Sequence, residues 1–490
     1  MQGGNAVDAA VAAAAMLTVV DPRSTGVGGD LFAQVWSAAA EDPVCLSAAG
    51  PSPRGLSMKA LRSAGFREMP ASGPWTVTVP GSVAGWEELV RTYAKLDIGT
   101  LIQPATRLAF DGAPVARFVA EEWLSCEAKL RENKEAARIF LPTGSAPEEG
   151  QRFANPELGA VLEQVAAEGA DPFYHGEIAA AIGNAVEIAG GPLRVDDLET
   201  WSGPTWAEPI SRRYRTVQVY ETPPPGQGLV LLEALGIYES FEAENSIEED
   251  HLAIESLKLA FADGARFIGD PLFHEMPVAA LLSQDHLASK RSQVDMYLAG
   301  QSRSGTASDT VYVATADDSV ACSLTQSLYE GFGSGIVVSG TGIALQNRGA
   351  GFVMEEGHVN RPEPGKRPYH TTIPAMLGDD RGLLGCLGVV GGFMQPQGQF
   401  QIMRNILDRG MSPDEAVAAP RFRFTSGRSV AFEANYDART VSELARRGHD
   451  VAELGRFEAG GGQIVLRSRG GFIGASDPRK DGEVAAGEPL

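Results

Sequence analysis

Thr310 opens a run of alternating apolar residues that also contains further hydroxyl side chains. The pattern of residues 310–327 predicts a β-hairpin with its turn near Asp318. Thr310 then lies roughly opposite residue 326, within cross-strand reach of the hydroxyl of Thr325 or Ser327. A threonine hydroxyl is a weak nucleophile and needs a base whose pKa is close to neutral. Cleavage of the chain before Thr310 would supply such a base, because a free α-amine has a pKa of about 8.

The residues before this hairpin are small and polar, from Gly300 to Ser308. Such a composition predicts an exposed linker that can be cleaved. A polar linker before a hairpin is also common in proteins that are never processed. The local pattern therefore leaves both interpretations of Thr310 open, a structural threonine and a nucleophile.

Two glycine-rich segments downstream could expose backbone amides. A short apolar strand runs into Gly391 and Gly392, whose amides could lie open at the strand end. Acyl transfer needs such donors, aimed at the oxygen that becomes negative during the reaction. The segment 332–335 is a second loop of this kind. A simple turn is the alternative interpretation of both segments.

A scaffold of helices and strands must position these residues. Asn5 can cap an alanine-rich helix, and the glycine run 25–29 leads into an apolar strand at 31–36. Residues from about 79 to 300 read mostly as helices, for example 83–96 and 251–267, around an enclosed sheet. From Thr310 onward, short apolar alternations with abundant glycine predict strands.

The composition excludes several classes of function. The chain has 490 residues and a net charge of −22, which makes nucleic acids and anionic membranes poor partners. Its four cysteines are scattered, which argues against a zinc site or a disulfide framework. Motifs for phosphate binding, zinc proteolysis and elbow-serine hydrolysis are missing, as is a signal peptide. We expect a cytoplasmic protein with neither metal nor cofactor, and a periplasmic one if a segment precedes residue 1.

Together the motifs resemble those of the γ-glutamyltranspeptidase family of N-terminal-nucleophile hydrolases. They follow the family's order through most of the chain, at residues 3–11, 25–29, 79–85, 223–228, 269–271, 309–310, 332–335, 365–368, 391–392 and 474–479. The resemblance implies an α+β fold, a four-layer αββα sandwich formed by two subunits of one self-cleaved precursor. The large subunit is then 1–309 and the small subunit 310–490, and the processed unit could form a homodimer.

The same resemblance implies the catalytic roles. Cleavage falls between Asp309 and Thr310, after which Thr310 is both nucleophile and base. Ser327 takes the place of the hydroxyl that supports the nucleophile, and Gly391 with Gly392 forms the oxyanion hole. The substrate is a small-molecule amide whose acyl group passes to water or to an amine.

The glutamate-binding positions of the family differ in this chain. The arginine that holds the α-carboxylate is absent near Ala49. Arg54 is close enough to substitute for it, although an exposed surface role is more usual for an arginine. The acidic group that holds the α-amine aligns with Gly351, and Arg348 close to it brings the opposite charge. A guanidinium in place of a carboxylate should reject an ammonium group and favour an anion.

His370 and Thr371 stand where the family has a serine pair. Thr371 can still donate a hydrogen bond, whereas His370 either contacts the substrate or only packs. The predicted substrate-binding set is therefore Arg54, Arg348, His370 and Thr371.

Three functions are compatible with these residues. The first is γ-glutamyl hydrolase or transferase activity on glutathione-like amides. The second is cleavage of a small acidic amide without an α-amino group, as in the oxamate amidohydrolases and glutaryl-cephalosporin acylases that resemble this family, and the altered glutamate positions favour it. The third is a homologue that is not processed and only binds small molecules or serves as a structural subunit. The joint presence of the nucleophile, its supporting hydroxyl and the two glycines argues against the third.

The chain begins at the Gly-Gly-Asn motif, where members of the family usually have a preceding strand and helix. A missing edge strand would expose hydrogen-bonding groups at a sheet edge, so a shortened form is expected to fold poorly or to assemble differently.

Overall fold

The computed structural model describes residues 3–303 and 309–487. In these ranges the α-helices are α1 Ala6–Val20, α2 Met58–Ser63, α3 Ser82–Tyr93, α4 Ile98–Asp111, α5 Arg117–Leu124, α6 Glu127–Glu132, α7 Lys134–Phe140, α8 Pro156–Glu168, α9 Asp171–His175, α10 Glu177–Ile188, α11 Val195–Glu199, α12 Gly228–Tyr238, α13 Ser246–Phe267, α14 Val278–Leu281, α15 Gln284–Arg291, α16 Met394–Leu407, α17 Pro413–Ala418 and α18 Ala438–Arg446.

The strands are β1 Asp30–Ser37, β2 Val44–Ala48, β3 Ala113–Pro114, β4 Arg152–Phe153, β5 Thr205–Ala207, β6 Ile210–Tyr214, β7 Val217–Glu221, β8 Ser302–Arg303, β9 Asp309–Ala316, β10 Val320–Tyr329, β11 Val337–Val338, β12 Ile343–Ala344, β13 Ala375–Asp379, β14 Gly382–Val390, β15 Phe422–Gly427, β16 Ser429–Phe432, β17 Asp450–Glu453, β18 Gly461–Ser468 and β19 Gly471–Ser476.

Two sheets form the centre of the molecule. The first has the strand order β5-β2-β1-β10-β9, and the second has the order β19-β18-β14-β13-β7-β6. They face each other where β9 and β10 contact β14, and Trp36, Ala321, Met376 and Cys386 form an apolar cluster. Strands from both halves of the chain meet in each sheet, because β1 pairs with β10 and β7 pairs with β13.

Each sheet is covered by helices on its other face. The apolar residues of α1, α3, α4, α8 and α10 pack against the first sheet in one core. Those of α12, α13 and α16 pack against the second sheet in another. The αββα sandwich is therefore confirmed, with alternating strand residues directed to the helices and to the facing sheet.

The local predictions for helices and strands agree with these elements. The side chain of Asn5 caps α1 by accepting hydrogen bonds from the amides of Val7 and Asp8. The predicted strand at 31–36 is β1, and the predicted helices at 83–96 and 251–267 are α3 and α13 with shifted ends. Every helix in the described ranges is too short or too polar to cross a bilayer.

The predicted linker is anchored where it begins. The Gly300 amide donates to Glu255 Oε2 over 3.0 Å, and Ser302 Oγ donates to the Lys258 carbonyl oxygen over 2.6 Å. Ser302 and Arg303 form β8, which pairs with β15. The rest of the predicted linker, 304–308, lies outside the described residues.

Candidate active site

The peptide bond between Asp309 and Thr310 has two hydroxyl groups directed at its carbonyl oxygen. Thr310 Oγ1 donates to this oxygen over 2.6 Å, and Ser327 Oγ donates to it over 2.7 Å. The two hydroxyl oxygens are 3.4 Å apart. Both side chains are buried, so bulk water competes little for these hydrogen bonds. The carbonyl group is polarised, and a hydroxyl that could attack it is already beside it.

A β-bulge in β10 brings Ser327 to this peptide bond. The ladder pairs Gln326 with Val311 and next pairs Tyr329 with Asp309, which sets two residues of β10 against one of β9. Tyr329 has a φ of 83°, and its amide donates to Ser327 Oγ over 2.8 Å. The bulge therefore fixes the direction of the Ser327 hydroxyl.

Arg23 holds the carboxylate of Asp309. Its Nη1 lies 2.5 Å from Asp309 Oδ2, and its Nη2 lies 2.7 Å from Oδ1. The same Nη2 is 2.6 Å from Glu122 Oε2. Burial by itself would lower the pKa of Arg23, but the carboxylates of Asp309 and Glu122 raise that pKa above its ordinary value. The residue before the polarised bond is thus fixed through its side chain.

Gly391 and Gly392 lie where β14 ends and the chain turns into α16. Their φ angles are 114° and 60°, a region that favours glycine. Gly391 and Thr310 both line a cavity of about 10 Å³. Neither glycine amide has a hydrogen-bond acceptor within the described part of the chain. Gly391 therefore lies next to Thr310, in the turn that the sequence predicts to expose backbone amides.

Two buried glutamines connect this turn with its surroundings. Gln395 Nε2 lies 3.5 Å from Thr310 Oγ1. Gln227 Nε2 donates to the carbonyl oxygens of Thr371 and Gly392 over 2.7 and 2.9 Å. The segment that contains Thr371 is thereby fixed relative to the glycine turn.

Arg348 is fully buried and stacks on the ring of Tyr329, the residue whose amide donates to Ser327 Oγ. Its guanidinium carbon lies 4.4 Å from the centre of the Tyr329 ring, and its Nη1 donates to Thr371 Oγ1 over 3.1 Å. Its Nε and Nη2 have no hydrogen-bond partner, and no carboxylate of residues 3–303 or 309–487 forms a salt bridge with it. Burial lowers the pKa of Arg348. The structure thus brings Arg348 and Thr371 together and leaves two donors unused.

His370 is committed to Asp30. Its Nε2 lies 2.9 Å from Asp30 Oδ2, and its Nδ1 lies 2.8 Å from the carbonyl oxygen of Pro368. A carbonyl oxygen can only accept, so Nδ1 carries a hydrogen. Burial lowers the pKa of His370, while its hydrogen bond to Asp30 opposes this effect. Of the two interpretations of His370, the structure supports packing: its ring contacts Phe32 at 5.1 Å between centroids.

Arg54 is not brought to this site. It is exposed, its guanidinium hydrogen-bonds to Thr200 Oγ1, and its amide donates to Asp197. The position of Arg54 does not support its predicted role in substrate binding, because the chain turns outward after the buried residues Ser52 and Pro53.

Four residues at the site had no predicted role: Arg23, Asp30, Tyr329 and Gln395. Arg23 lies just before the glycine-rich motif at 25–29, and Gln395 lies just after the glycine pair. Their positions next to these motifs could have indicated that they belong to the site.

Two cavities differ in their relation to Thr310. One of about 210 Å³ is lined by Thr310, Val390, Phe118, Glu122 and Lys480. A larger one of about 730 Å³ opens beside β2 and β5, at the opposite edge of the first sheet, and Thr310 does not line it. The smaller cavity is the one relevant to chemistry at Thr310.

Two groups of potential metal ligands occur in the helical layer of the second sheet. They are His251, Glu255 and His449, and Glu233, Asp263 and His286. In the first group Lys258 Nζ already lies 2.8 Å from Glu255 Oε1 and 3.3 Å from His449 Nδ1. In the second, Lys290 Nζ lies 2.6 Å from Asp263 Oδ1. Ammonium groups thus occupy the place of a cation in both.

Comparison with known proteins gives one consistent family. The model of the family described as Gamma-glutamyltranspeptidase matches residues 1–487. The glutathione hydrolase-like YwrD proenzyme of Bacillus subtilis is 34% identical over 98% of this chain and 94% of that protein. The oxamate amidohydrolase proenzyme of Klebsiella pneumoniae is 33% identical over 99% of this chain and 94% of that protein.

A solved structure agrees in fold over the whole chain. The cephalosporin acylase from Bacillus halodurans superposes with a TM-score of 0.95 at 39% identity, covering 100% of this chain and 92% of the acylase. The named relatives thus include a glutathione hydrolase-like protein, an oxamate amidohydrolase and an acylase, which differ in substrate.

Proposed function

Because the chain belongs to the γ-glutamyltranspeptidase family of N-terminal-nucleophile amidases and acyltransferases, we propose that it is a precursor that cleaves itself between Asp309 and Thr310. The processed enzyme then hydrolyses amides of small acidic acyl groups that lack an α-amino group. The observation that carries the self-cleavage is the pair of hydroxyls on the Asp309 carbonyl oxygen, at 2.6 and 2.7 Å.

Self-cleavage begins when Thr310 Oγ1 attacks the carbonyl carbon of Asp309. The Ser327 hydroxyl stabilises the oxygen that becomes negative. The bond from the carbonyl carbon to the Thr310 nitrogen breaks, that nitrogen takes the hydroxyl proton, and an ester remains between Asp309 and Oγ1. Water hydrolyses the ester and leaves Thr310 with a free amine, at the start of a subunit of residues 310–490.

Substrate turnover uses the same oxygen. The freed amine of Thr310 takes the Oγ1 proton, Oγ1 attacks the amide carbonyl, and the amine product leaves with a proton. The open amides of Gly391 and Gly392 stabilise the oxyanion. Water, or an amine acceptor, then releases the acyl group from Oγ1.

Arg348 supports the choice of an acyl group without an α-amine. It is a buried cation without a salt bridge in the described ranges, and it stacks on the ring of Tyr329, whose amide donates to Ser327 Oγ. A buried cation repels an ammonium group strongly, because the local dielectric constant is low. The names of two relatives, oxamate amidohydrolase and cephalosporin acylase, are consistent with such substrates.

Processing is tested first. Purified protein should give two bands on a denaturing gel, and N-terminal sequencing of the smaller one should start at Thr310. Thr310→Ala should leave a single band of 51.8 kDa. A small fragment with another first residue would rule out Thr310 as the nucleophile.

The acyl group is tested with two anilides that differ only in the α-amino group, glutaryl- and γ-glutamyl-p-nitroanilide. We expect the glutaryl compound to have a kcat/KM about tenfold higher or more, since burying an ammonium beside a cation costs at least about 1.4 kcal/mol. Arg348→Gln should reduce that ratio to near one.

Arg91→Gln is the matched control, because Arg91 is an exposed arginine that pairs with Glu88 on α3. It should leave the ratio unchanged. A wild-type preference for the γ-glutamyl compound would overturn the proposed acyl group and favour glutathione-like substrates.

A further inference from the structure

We propose that Arg23 binds the carboxylate of the substrate's acyl group in the processed enzyme, and that the preferred acyl group has the length of a succinyl group. This inference rests on the proposed function and specifies its substrate class. In the precursor the same position is filled by the side chain of Asp309.

The geometry around Arg23 is that of a carboxylate-binding site. The two terminal nitrogens meet the two carboxylate oxygens of Asp309 in a parallel fork, at 2.5 and 2.7 Å. Arg23 itself is only 4% exposed. Gly331 leaves room for the pair, since a β-carbon there would lie 3.3 Å from Arg23 Nη1 and 3.2 Å from Asp309 Oδ2.

The length of the acyl group follows from Asp309 as an internal substrate. Two carbon atoms, Cα and Cβ, separate the carbonyl that Thr310 attacks from the carboxylate that Arg23 holds. The ester formed during self-cleavage is therefore a substituted succinyl ester on Thr310 Oγ1. A succinyl amide forms an ester on the same oxygen and can place its carboxylate on the same guanidinium.

Cleavage changes the charge balance at this position. In the precursor, Arg23 and Lys480 are the cations and Glu122 and Asp309 are the anions of one network of direct ion pairs. Hydrolysis removes the covalent bond that keeps Asp309 beside Thr310, so its carboxylate becomes an ordinary competing ligand. Without it, Glu122 is the one anion left in direct ion pairs with these two cations among the described residues. The carboxyl group of Asp21 also faces them, but burial raises its pKa. The loss of one anion therefore favours an incoming carboxylate.

Space for such an acyl group lies next to the nucleophile. The cavity of about 210 Å³ is lined by Thr310, by Glu122, which pairs directly with Arg23, and by Lys480, which pairs with Glu122. The carboxyl groups of Asp21 and Asp481 also line it. It is small compared with a drug-sized pocket of about 300 Å³ or more, as expected for a four-carbon group. Hydrolysis of a succinyl amide consumes one water and yields succinate and the amine, with no other reactant.

The test compares p-nitroanilides of malonic, succinic, glutaric and butyric acid on processed wild-type enzyme. Succinyl and butyryl differ only by the terminal carboxylate. We expect the highest kcat/KM for succinyl and a succinyl-to-butyryl ratio of about ten to a hundred, as for one charge-assisted fork.

Arg23→Lys keeps the charge but loses the fork, and it should reduce that ratio about tenfold, mainly through KM for the succinyl compound. Because Arg23 also holds Asp309, the variant is incubated until cleavage stops and rates are divided by the amount of processed subunit. Arg91→Lys is the control and should keep the wild-type ratio.

The outcomes separate this inference from the proposed function. Hydrolysis of all four anilides with a succinyl-to-butyryl ratio near one, or an unchanged ratio in a processed Arg23→Lys variant, overturns the role of Arg23 alone. Processed enzyme that cleaves none of the anilides overturns the proposed function instead. If Arg23→Lys is not processed, the wild-type ratio and the chain-length optimum decide.

Discussion

Replacement of Ser327 by alanine should slow self-cleavage by about a hundredfold. In the structure Ser327 Oγ donates to the Asp309 carbonyl oxygen over 2.7 Å. That oxygen becomes negative when Thr310 attacks, and removal of one donor to such an oxyanion costs about 3 to 4 kcal/mol, or two to three powers of ten in rate. The neutral hydrogen bond before attack contributes only about 1 kcal/mol, so most of the loss falls on the transition state.

Alanine also leaves the Tyr329 amide without its acceptor, because that amide donates to Ser327 Oγ. An unsatisfied buried N–H costs about 1 to 3 kcal/mol of stability, which must be separated from the effect on rate. Ser327→Thr restores the hydroxyl and should recover most of the rate. Ser323→Ala removes another buried hydroxyl of β10, one that bonds to Tyr312 over 2.7 Å, and should cleave at the wild-type rate.

The assay follows the conversion of one band into two on denaturing gels after a pulse of cell-free synthesis. Circular dichroism of the purified variants checks that each is folded. If folded Ser327→Ala is processed as fast as Ser323→Ala, Ser327 does not stabilise the oxyanion. The proposed role of the two hydroxyls at the Asp309 carbonyl oxygen is then wrong.

Three further predictions concern the oxyanion turn and the stability of the fold. Gly391 has a φ of 114°, so alanine at this position strains the turn and misdirects its amides. Gly391→Ala should therefore lower kcat of the processed enzyme about tenfold or more, with a smaller change in KM, as measured by steady-state kinetics. Asp477→Asn should lower the free energy of unfolding by about 3 to 5 kcal/mol, because the buried Arg421, which is 2.6 Å from Asp477, loses that counter-charge. Urea denaturation measures this loss, and a value below about 1 kcal/mol would contradict the prediction. Burial and then Lys258 lower the pKa of His449 to about 2, below the ordinary 6.5. Because the unfolded chain then binds a proton that the folded chain does not, the contribution of His449 to the free energy of unfolding is fully present above pH 6.5 and falls by about 1.4 kcal/mol per pH unit below it. His449→Gln should flatten this dependence of the unfolding free energy on pH between pH 6.5 and 4.5.

Much of the scaffold could be predicted because the signals are local. Asn5 caps α1 through atoms two and three residues away, and glycine and hydroxyl patterns predicted the β9–β10 hairpin. The hairpin pattern alone offered Thr325 and Ser327 equally. The bulge before Tyr329 decided for Ser327, since it sets which side chain points at the Asp309 carbonyl.

The substrate side of the site was less predictable because it depends on contacts between distant segments. Arg54 was chosen for its closeness in sequence to Ala49, yet it lies on the surface beside Thr200. Arg23, from the turn after α1, reaches a carboxylate 286 residues away. The distance between two residues along the sequence does not predict such a contact, because the contact forms only when strands from the two halves of the chain pair.

The sequence by itself determined the family, several helices, the β9–β10 hairpin and Thr310 as the proposed nucleophile, because these follow from short motifs and local periodicity. Only the tertiary structure decided which charged groups surround Thr310. Arg23 is brought to Asp309 by the pairing of β1 with β10, while His370 is held by Asp30, 340 residues away in sequence. A charge acts over a few ångströms through space, so its partner is fixed by folding and not by its position in the chain.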